Sequence, residues 1–332
     1  MSTILVTGGA GYVGSVCAEE LVRQGHEVVV VDDLSTGHHE AVPVSARFYR
    51  ADIGDKIAMR SILNEHDIDA VFHFAAKALI PESVTDPAVF YKVNVTSALA
   101  MMDVLLERGV RKFVFSSTAA VYGDPVQVPI PEDHPKAPVN SYGETKLAIE
   151  RALPHYDTAY GIKSIVLRYF NAAGADPDGE LGEDHAPEAH LIPRAIDAAF
   201  GRDTFQVFGD DYDTPDGTCL RDFVHVTDLA SAHLLALAAL REGAASTQYN
   251  LGNGKPTSVR AVIESVERVA GRRVPHTIGP RRPGDPGVLF ASSERIRREL
   301  GWAPEFEDVD VIVGTASRWR EAHPQGYRKA TA

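Results

Sequence analysis

The stretch that most constrains this chain is "TILVTGGAGYVG", residues 3–14. A β-favouring run meets glycine at position 8, and a helical pattern starts within a few residues. Gly8, Gly11 and Gly14 fit Gly-x-x-Gly-x-x-Gly, and Gly-x-Gly-x-x-Gly also begins at Gly9. A strand that turns into a helix through bare backbone offers free N–H groups and the positive end of a helix dipole. Gly8 and Gly11 permit the tight turn and the close approach of an anion, and Gly14 lets the helix lie on the strand. The glycines alone also describe a turn without a ligand, so the following strands decide.

Those strands favour a dinucleotide. "EVVVVDD" (27–33) ends in Asp32, where a carboxylate can accept hydrogen bonds from an adenosine ribose. Asp33 follows, with no Arg beside it in the sequence, which makes a 2′-phosphate unwelcome and NAD the expected cofactor over NADP. Asp52, at the end of "ARFYRAD" (46–52), is a candidate for the adenine amino group or for a helix N-cap. Further apolar runs, "AVFHFAA" (70–76), "RKFVFSS" (111–117) and "KSIVLRYF" (163–170), alternate with helical patterns at about 15–24, within 86–108 and at 141–160. Such alternation predicts an α/β fold, a doubly wound parallel sheet with helices on both faces. Asp86-Pro87 is expected to open the second of these helices.

After Asn171 the texture changes to the Gly-, Pro- and acid-rich "AAGADPDGELGEDHAPEAH" (172–190), a linker or substrate-facing loop. Shorter elements follow: a helix near 192–200, a strand "DFVHV" (222–226), a helix opened by Asp228, "QYNLG" (248–252), and helices from Ser258 and Ser292. The expected division is a cofactor domain over 1–175 and a smaller α/β substrate domain over 176–332, with segments near 222–252 returning to the first sheet.

Composition excludes several classes. A formal net charge of −13 is wrong for a nucleic-acid surface. No uninterrupted apolar run reaches membrane-spanning length, and no charged and apolar leader precedes the first strand, so no membrane partner is expected. Two cysteines, Cys17 and Cys219, make a disulfide framework improbable and a cytoplasmic location the expectation.

The chemistry-bearing phrase is "SYGETK" (141–146). On a helix Tyr142 and Lys146, at i and i+4, share a face. A free tyrosine titrates near pH ~10, and a working base near neutrality needs a downward shift of about 3 units, or ~4 kcal/mol. The Lys146 ammonium together with an oxidised nicotinamide is expected to supply it. Behind a dinucleotide cradle this pairing outweighs an indifferent surface contact.

Cradle and Tyr-x-x-x-Lys together resemble the extended short-chain dehydrogenase/reductase superfamily. "HFAA" (73–76), "FSSTAAVYG" (115–123), "LRYFNAAGA" (167–175), "DDYDTPDGTCLRDFVHVTDLA" (210–230), "NLGNG" (250–254) and "RRPGD" (281–285) resemble, more narrowly, UDP-glucose (UDP-galactose) 4-epimerases. The resemblance implies a Rossmann-like fold, tightly bound NAD, a UDP-sugar substrate, a homodimer through 86–108 and 141–160, and inversion at C4 through a 4-keto intermediate. It implies Tyr142 as the proton carrier, Lys146 as its partner and Thr118 as the hydroxyl that orients the sugar. Implied cofactor positions are Tyr12, Val13, Asp33, Ile53, Phe74, Ala75, Ala76, Asn94, Ser116 and Tyr169. Implied substrate positions are Phe170, Asn171, Leu191, Phe208, Arg221, Arg282 and Asp285, the two arginines on the diphosphate and Asp285 on the uridine ribose.

Three departures from the pattern stand out. Thr118 replaces the usual Ser, and a lysine stands at 77 instead of 78. Leu289 takes a place held by Tyr in narrow-specificity enzymes, so a roomier pocket, accepting UDP-N-acetylglucosamine, is expected. A dehydratase would need Thr-Asp-Glu where Thr118-Ala119-Ala120 stand, and alanine moves no proton. A UDP-glucuronate 4-epimerase shares the chemistry but needs a cation for its carboxylate. A keto-sugar reductase would use NADPH, against Asp32-Asp33. A non-catalytic nucleotide sensor would have no need of Tyr142, Lys146 and Thr118. No metal is expected: His185 and His190, with Glu183, Asp184 and Glu188, are taken as an acidic loop, and His38-His39 as a polar one.

Overall fold

The computed structural model describes residues 2–282 and 286–327. Six strands fill the first half: β1 (Thr3–Thr7), β2 (Glu27–Asp32), β3 (Arg47–Arg50), β4 (Ile68–His73), β5 (Lys112–Thr118) and β6 (Lys163–Tyr169). Eight short ones follow: β7 (Asn171–Ala173), β8 (Phe205–Phe208), β9 (Leu220–Arg221), β10 (Phe223–His225), β11 (Thr247–Leu251), β12 (Thr257–Ser258), β13 (His276–Gly279) and β14 (Val288–Leu289). The main sheet is parallel with order β3-β2-β1-β4-β5-β6-β11. Of the segments expected to return near 222–252, β11 joins the first sheet, whereas β10 pairs with β7 in a separate two-stranded sheet. The direction of winding reverses between β1 and β4, which leaves a crevice at their carboxyl ends.

The strand runs are apolar throughout because both faces are covered. Ile4, Val6, Val28, Val30, Phe72, Val114, Ile165 and Leu167 meet α1 (Tyr12–Arg23) and, from late in the chain, a helix over Val226–Arg241. Their alternates Leu5, Val29, Val31, Val71, Phe113, Phe115 and Val166 face the other layer. That layer holds α2 (Lys56–Glu65), then α3 (Ile80–Thr85), α4 (Pro87–Phe90), α5 (Ala98–Glu107) and α6 (Ser141–Tyr160). Asn140 caps α6 by accepting from Gly143 N, and Gly161, in the left-handed region at φ 72°, stops it. A third core joins α7 (Leu191–Ala199) to two late helices through Ile192, Ile196, Val262, Val266, Ile312 and Val313.

The remaining helices are α8 (Val226–Arg241), α9 (Val259–Ala270), α10 (Glu294–Leu300) and α11 (Val309–Ala322). Ser258 caps α9 as expected. Two starts differ from expectation. His225, not Asp228, caps α8, because Asp228 is turned to accept from Glu305 N and Phe306 N and so anchors a later loop. Ser293, not Ser292, precedes α10, and its hydroxyl bonds Gly252 instead of the helix. The single helix expected within 86–108 is interrupted by a π-helical segment over Tyr91–Ser97, after an Asp86 cap on Val89 N. Pro87–Glu107 is long and apolar enough to cross a membrane by length and composition alone, although Lys92, Asn94 and Asp103 interrupt its apolar run. Its Met101, Met102, Val104 and Leu105 are instead buried under the sheet.

Candidate active site

One cleft of about 910 Å³ runs over the carboxyl ends of the sheet and beneath the α7 side. The loop between β1 and α1 forms one wall. Gly8 has φ 73°, and a Cβ there would lie 2.4 Å from Ala75 N. At Gly14 it would lie 2.2 Å from Gly8 O, whereas at Gly11 the nearest atom is 3.4 Å away. Gly8 and Gly14 are therefore demanded by the fold, and Gly11 keeps the cradle open. Tyr12 and Val13 open α1 without a side-chain cap, so their N–H groups remain available to an anion.

The carboxylates beside the cradle divide their work. Asp32 accepts from Ala10 N (3.0 Å) and Leu34 N (2.8 Å), and burial raises its pKa. It both ties the loop and lines the cleft. Asp33 is exposed and accepts from Ser35 N. The absence of an arginine beside Asp33 holds only along the chain. The β2–β3 register sets Arg50 opposite Asp32, with Nε 3.4 Å from the Asp33 carbonyl. Asp52 lines the cleft and closes a turn on Gly54 N, while Asp55 is the N-cap of α2.

Tyr142 and Thr118 both face the cleft, with Lys146 buried below them. Burial pushes the Tyr142 phenol up to about 12, and the Thr118 hydroxyl opposes that rise. Burial drives Lys146 down to about 7, opposed by the charge of Glu150. Lys146 Nζ donates to Ser116 O at 2.8 Å and sits 5.0 Å from the Phe115 ring centre. Desolvation of both groups dominates, and the lysine is held by a strand carbonyl.

Beneath this pair lies a charged network. Arg168, on β6, pairs with Glu150 (Nη2–Oε2 2.6 Å), both nearly inaccessible. Glu150 also accepts from Ser117 Oγ at 2.5 Å, and Arg168 donates to Tyr122 Oη and Glu132 O. Glu150 lies one turn beyond Lys146 on α6. In the sequence one signal alone marks this network, an arginine inside the apolar "SIVLRYF" (164–170).

Of the expected cofactor positions, Gly8, Gly11, Tyr12, Val13, Gly14, Asp32, Asp33, Asp52, Ile53, Phe74, Ala75, Ala76 and Tyr169 line the cleft. Asn94 is buried behind it. Its side chain accepts from Lys77 N and donates to Lys77 O and Thr145 Oγ1, which fixes the loop after β4. Ser116 is likewise buried, 2.5 Å from the Tyr169 hydroxyl. Of the substrate positions, Phe170, Asn171, Leu191, Phe208, Arg221, Arg282 and Leu289 line the far part of the cleft. Asn171 donates to Asp222 O, and Arg282 lies 3.9 Å from the Phe208 ring centre. Asp285 falls outside the described residues.

The bare cradle, the strand-end acids and the Tyr142–Lys146 helix define a dinucleotide-binding α/β protein with a proton-transfer site, and the residues present fit NAD. The chain matches the NAD dependent epimerase/dehydratase family over residues 4–252 and belongs to that family. It is 50% identical to a UDP-glucose 4-epimerase of Halalkalibacterium halodurans, over 98% of this chain and 97% of that one. A Brucella ovis UDP-glucose 4-epimerase solved in complex with NAD superposes with a TM-score of 0.93 at 46% identity, over 96% of this chain and 98% of the other. A Stenotrophomonas maltophila UDP-glucose-4-epimerase, with bound NAD and formylated UDP-arabinopyranose, gives 0.94 at 39% identity, over 98% and 99%.

Proposed function

We propose that the protein is an NAD-dependent isomerase that interconverts UDP-galactose and UDP-glucose by inversion at C4. The observation that carries this is that Tyr142 and Thr118, which share a hydrogen bond, line one cleft together with the cradle, Arg221 and Arg282. Thr118 holds the sugar 4-hydroxyl by a hydrogen bond, and Tyr142 takes its proton and later returns it. NAD, when bound, supplies the hydride acceptor and donor for C4 and a positive charge that favours the phenolate. Lys146 orients that chemistry from below, through Ser116 O. Arg221 and Arg282 grip the diphosphate, so that the 4-keto sugar can swing about it and present its other face. Ala119 and Ala120, also in the cleft, offer no acid or base for loss of water.

Cofactor binding is assigned to residues 1–175 with the returning segment near 222–252, and sugar binding to the remainder. Exposed Tyr91 and Tyr160 support a homodimer through the helices over 86–108 and 141–160. The buried thiols of Cys17 and Cys219, which form no disulfide among the described residues, support a cytoplasmic location.

Leu289 faces the cleft and packs with Phe170 against the core around Tyr122 and Leu147. A branched aliphatic side chain there leaves space that a tyrosine would fill, which favours UDP-N-acetylglucosamine as a second substrate. The direct experiment combines identification of the small molecule released by acid with a UDP-galactose to UDP-glucose assay. NAD in the extract with turnover supports the assignment; a cofactor-free protein inert toward every UDP-hexose defeats it.

A further inference from the structure

The acid-rich loop after β7 folds into something more specific than a solvated linker. Glu183, His185, Glu188 and His190 each direct one potential ligand atom to a common point, all within 4.8 Å of one another. His185 Nδ1 lies 3.2 Å from Glu183 Oε1 and 3.6 Å from Glu188 Oε1. Four donors at zinc-like bond lengths around one ion stand about 3.4 Å apart, which these separations bracket. His190 Nδ1 also closes on Glu183 Oε1.

A further observation points to a ligand. His185 Nδ1 and Glu188 Oε2 are both shut off from solvent, and neither has a hydrogen-bond partner. The two carboxylates, with side chains 5% and 11% exposed, have the His185 and His190 imidazoles and one arginine against them. Arg320 is the cation that approaches: its Nη1 is 3.9 Å from Glu188 Oε2 and donates to Glu183 O, but its other nitrogens engage Asp197. Asp184, next in sequence, turns away to His38 and Tyr327 N. The Tyr12 ring meets His185 edge-on at 6.4 Å.

We propose that Glu183, His185, Glu188 and His190 bind one divalent transition-metal ion of the zinc class. Two imidazoles and two carboxylates suit such an ion, and its double charge balances the two acids. The ion would staple the loop over 182–190 between the start of α1 and the start of α7. Its role is positional, because α7 begins at the next residue and carries Leu191 and Arg194 into the cleft.

The test uses full-length holoprotein stripped with a chelator and then titrated with Zn2+ by calorimetry, with Co2+ as a spectroscopic probe. The expected result is one Zn2+ per chain with proton release, a four-coordinate Co2+ spectrum and a raised Tm. His185→Ala and Glu183→Gln should weaken uptake at least tenfold. Since Glu183 is buried, the half-exposed His190→Ala is the variant least able to disturb folding, and it should do the same. His276→Ala, on exposed β13, is the control and should bind as the parent does. No stoichiometric uptake, or uptake that His185→Ala and His190→Ala leave within twofold of the parent, overturns the proposal.

Discussion

Glu150→Gln tests the buried support of the active site. The exchange keeps the shape of the side chain and removes its charge. It leaves Arg168, 2% exposed, with a buried guanidinium whose Nε and Nη2 lose a carboxylate at 2.9 and 2.6 Å. Removing one partner of a buried ion pair costs about 3–5 kcal/mol, because the remaining charge stays desolvated. With an unfolding entropy of about 2.1 cal/mol/K per residue, roughly 0.7 kcal/mol/K for this chain, Tm should fall by ~4–7 °C. Calorimetry on the cofactor-loaded protein measures the drop. Adding Arg168→Met should recover at least about half of it, since an apolar side chain of similar length removes the stranded charge. Activity should respond as well. Glu150 is the group that opposes the burial-driven fall of the Lys146 pKa, so its loss moves Lys146 further below about 7. The alkaline limb of the kcat profile should then shift to lower pH. A Tm within about 1 °C of the parent, or a double variant less stable than the single one, would refute this view of the pair.

Other expectations are more local. Gly14→Ala places a methyl 2.2 Å from Gly8 O, so the purified variant should retain less than a tenth of the parent's NAD, measured by absorbance after acid release. Arg221→Ala should weaken UDP binding by roughly 10–100-fold, the loss of one charge-assisted hydrogen bond of about 1.5–3 kcal/mol, read by calorimetry. Leu289→Tyr should lower kcat/KM for UDP-N-acetylglucosamine by more than tenfold and change that for UDP-galactose by less than about threefold. Lys146→Met carries a pH signature. Burial holds Lys146 near 7 against 10.5 in the free chain, so protonating it opposes folding below pH 7, and this cost fades as pH rises from 7 to 10.5. The variant's stability gain in cofactor-free protein should be larger at pH 6 than at pH 9 by denaturant unfolding.

The sequence is most transparent where local rules act. Gly8 and Gly14 are legible because no side chain fits there, and the strands because double burial makes them uniformly apolar. Tyr142 and Lys146 are legible because four residues make one helical turn. What stays hidden depends on contacts far apart in the chain. Arg50 reaches Asp33 through strand register, and Asp228 is drawn from a helix start to a loop some eighty residues on. The π-helical turn aims Asn94 at the Lys77 backbone, a contact that the sequence does not show. Glu183, His185, Glu188 and His190 look like a solvated acidic loop because nothing in their spacing shows that the loop doubles back on itself. Likewise the tyrosine's titration follows from depth of burial, which a motif does not express.

The most direct test is Tyr142→Phe assayed beside the parent, with UDP-galactose conversion and bound NAD measured on the same samples. The parent should convert UDP-galactose to UDP-glucose. The variant should keep its NAD, since the ring still fills the cleft wall, and lose at least ~10³-fold in kcat, the scale of a positioned acid–base group. A variant that binds NAD and epimerises at the parent's rate would show that Tyr142 does not carry the proton.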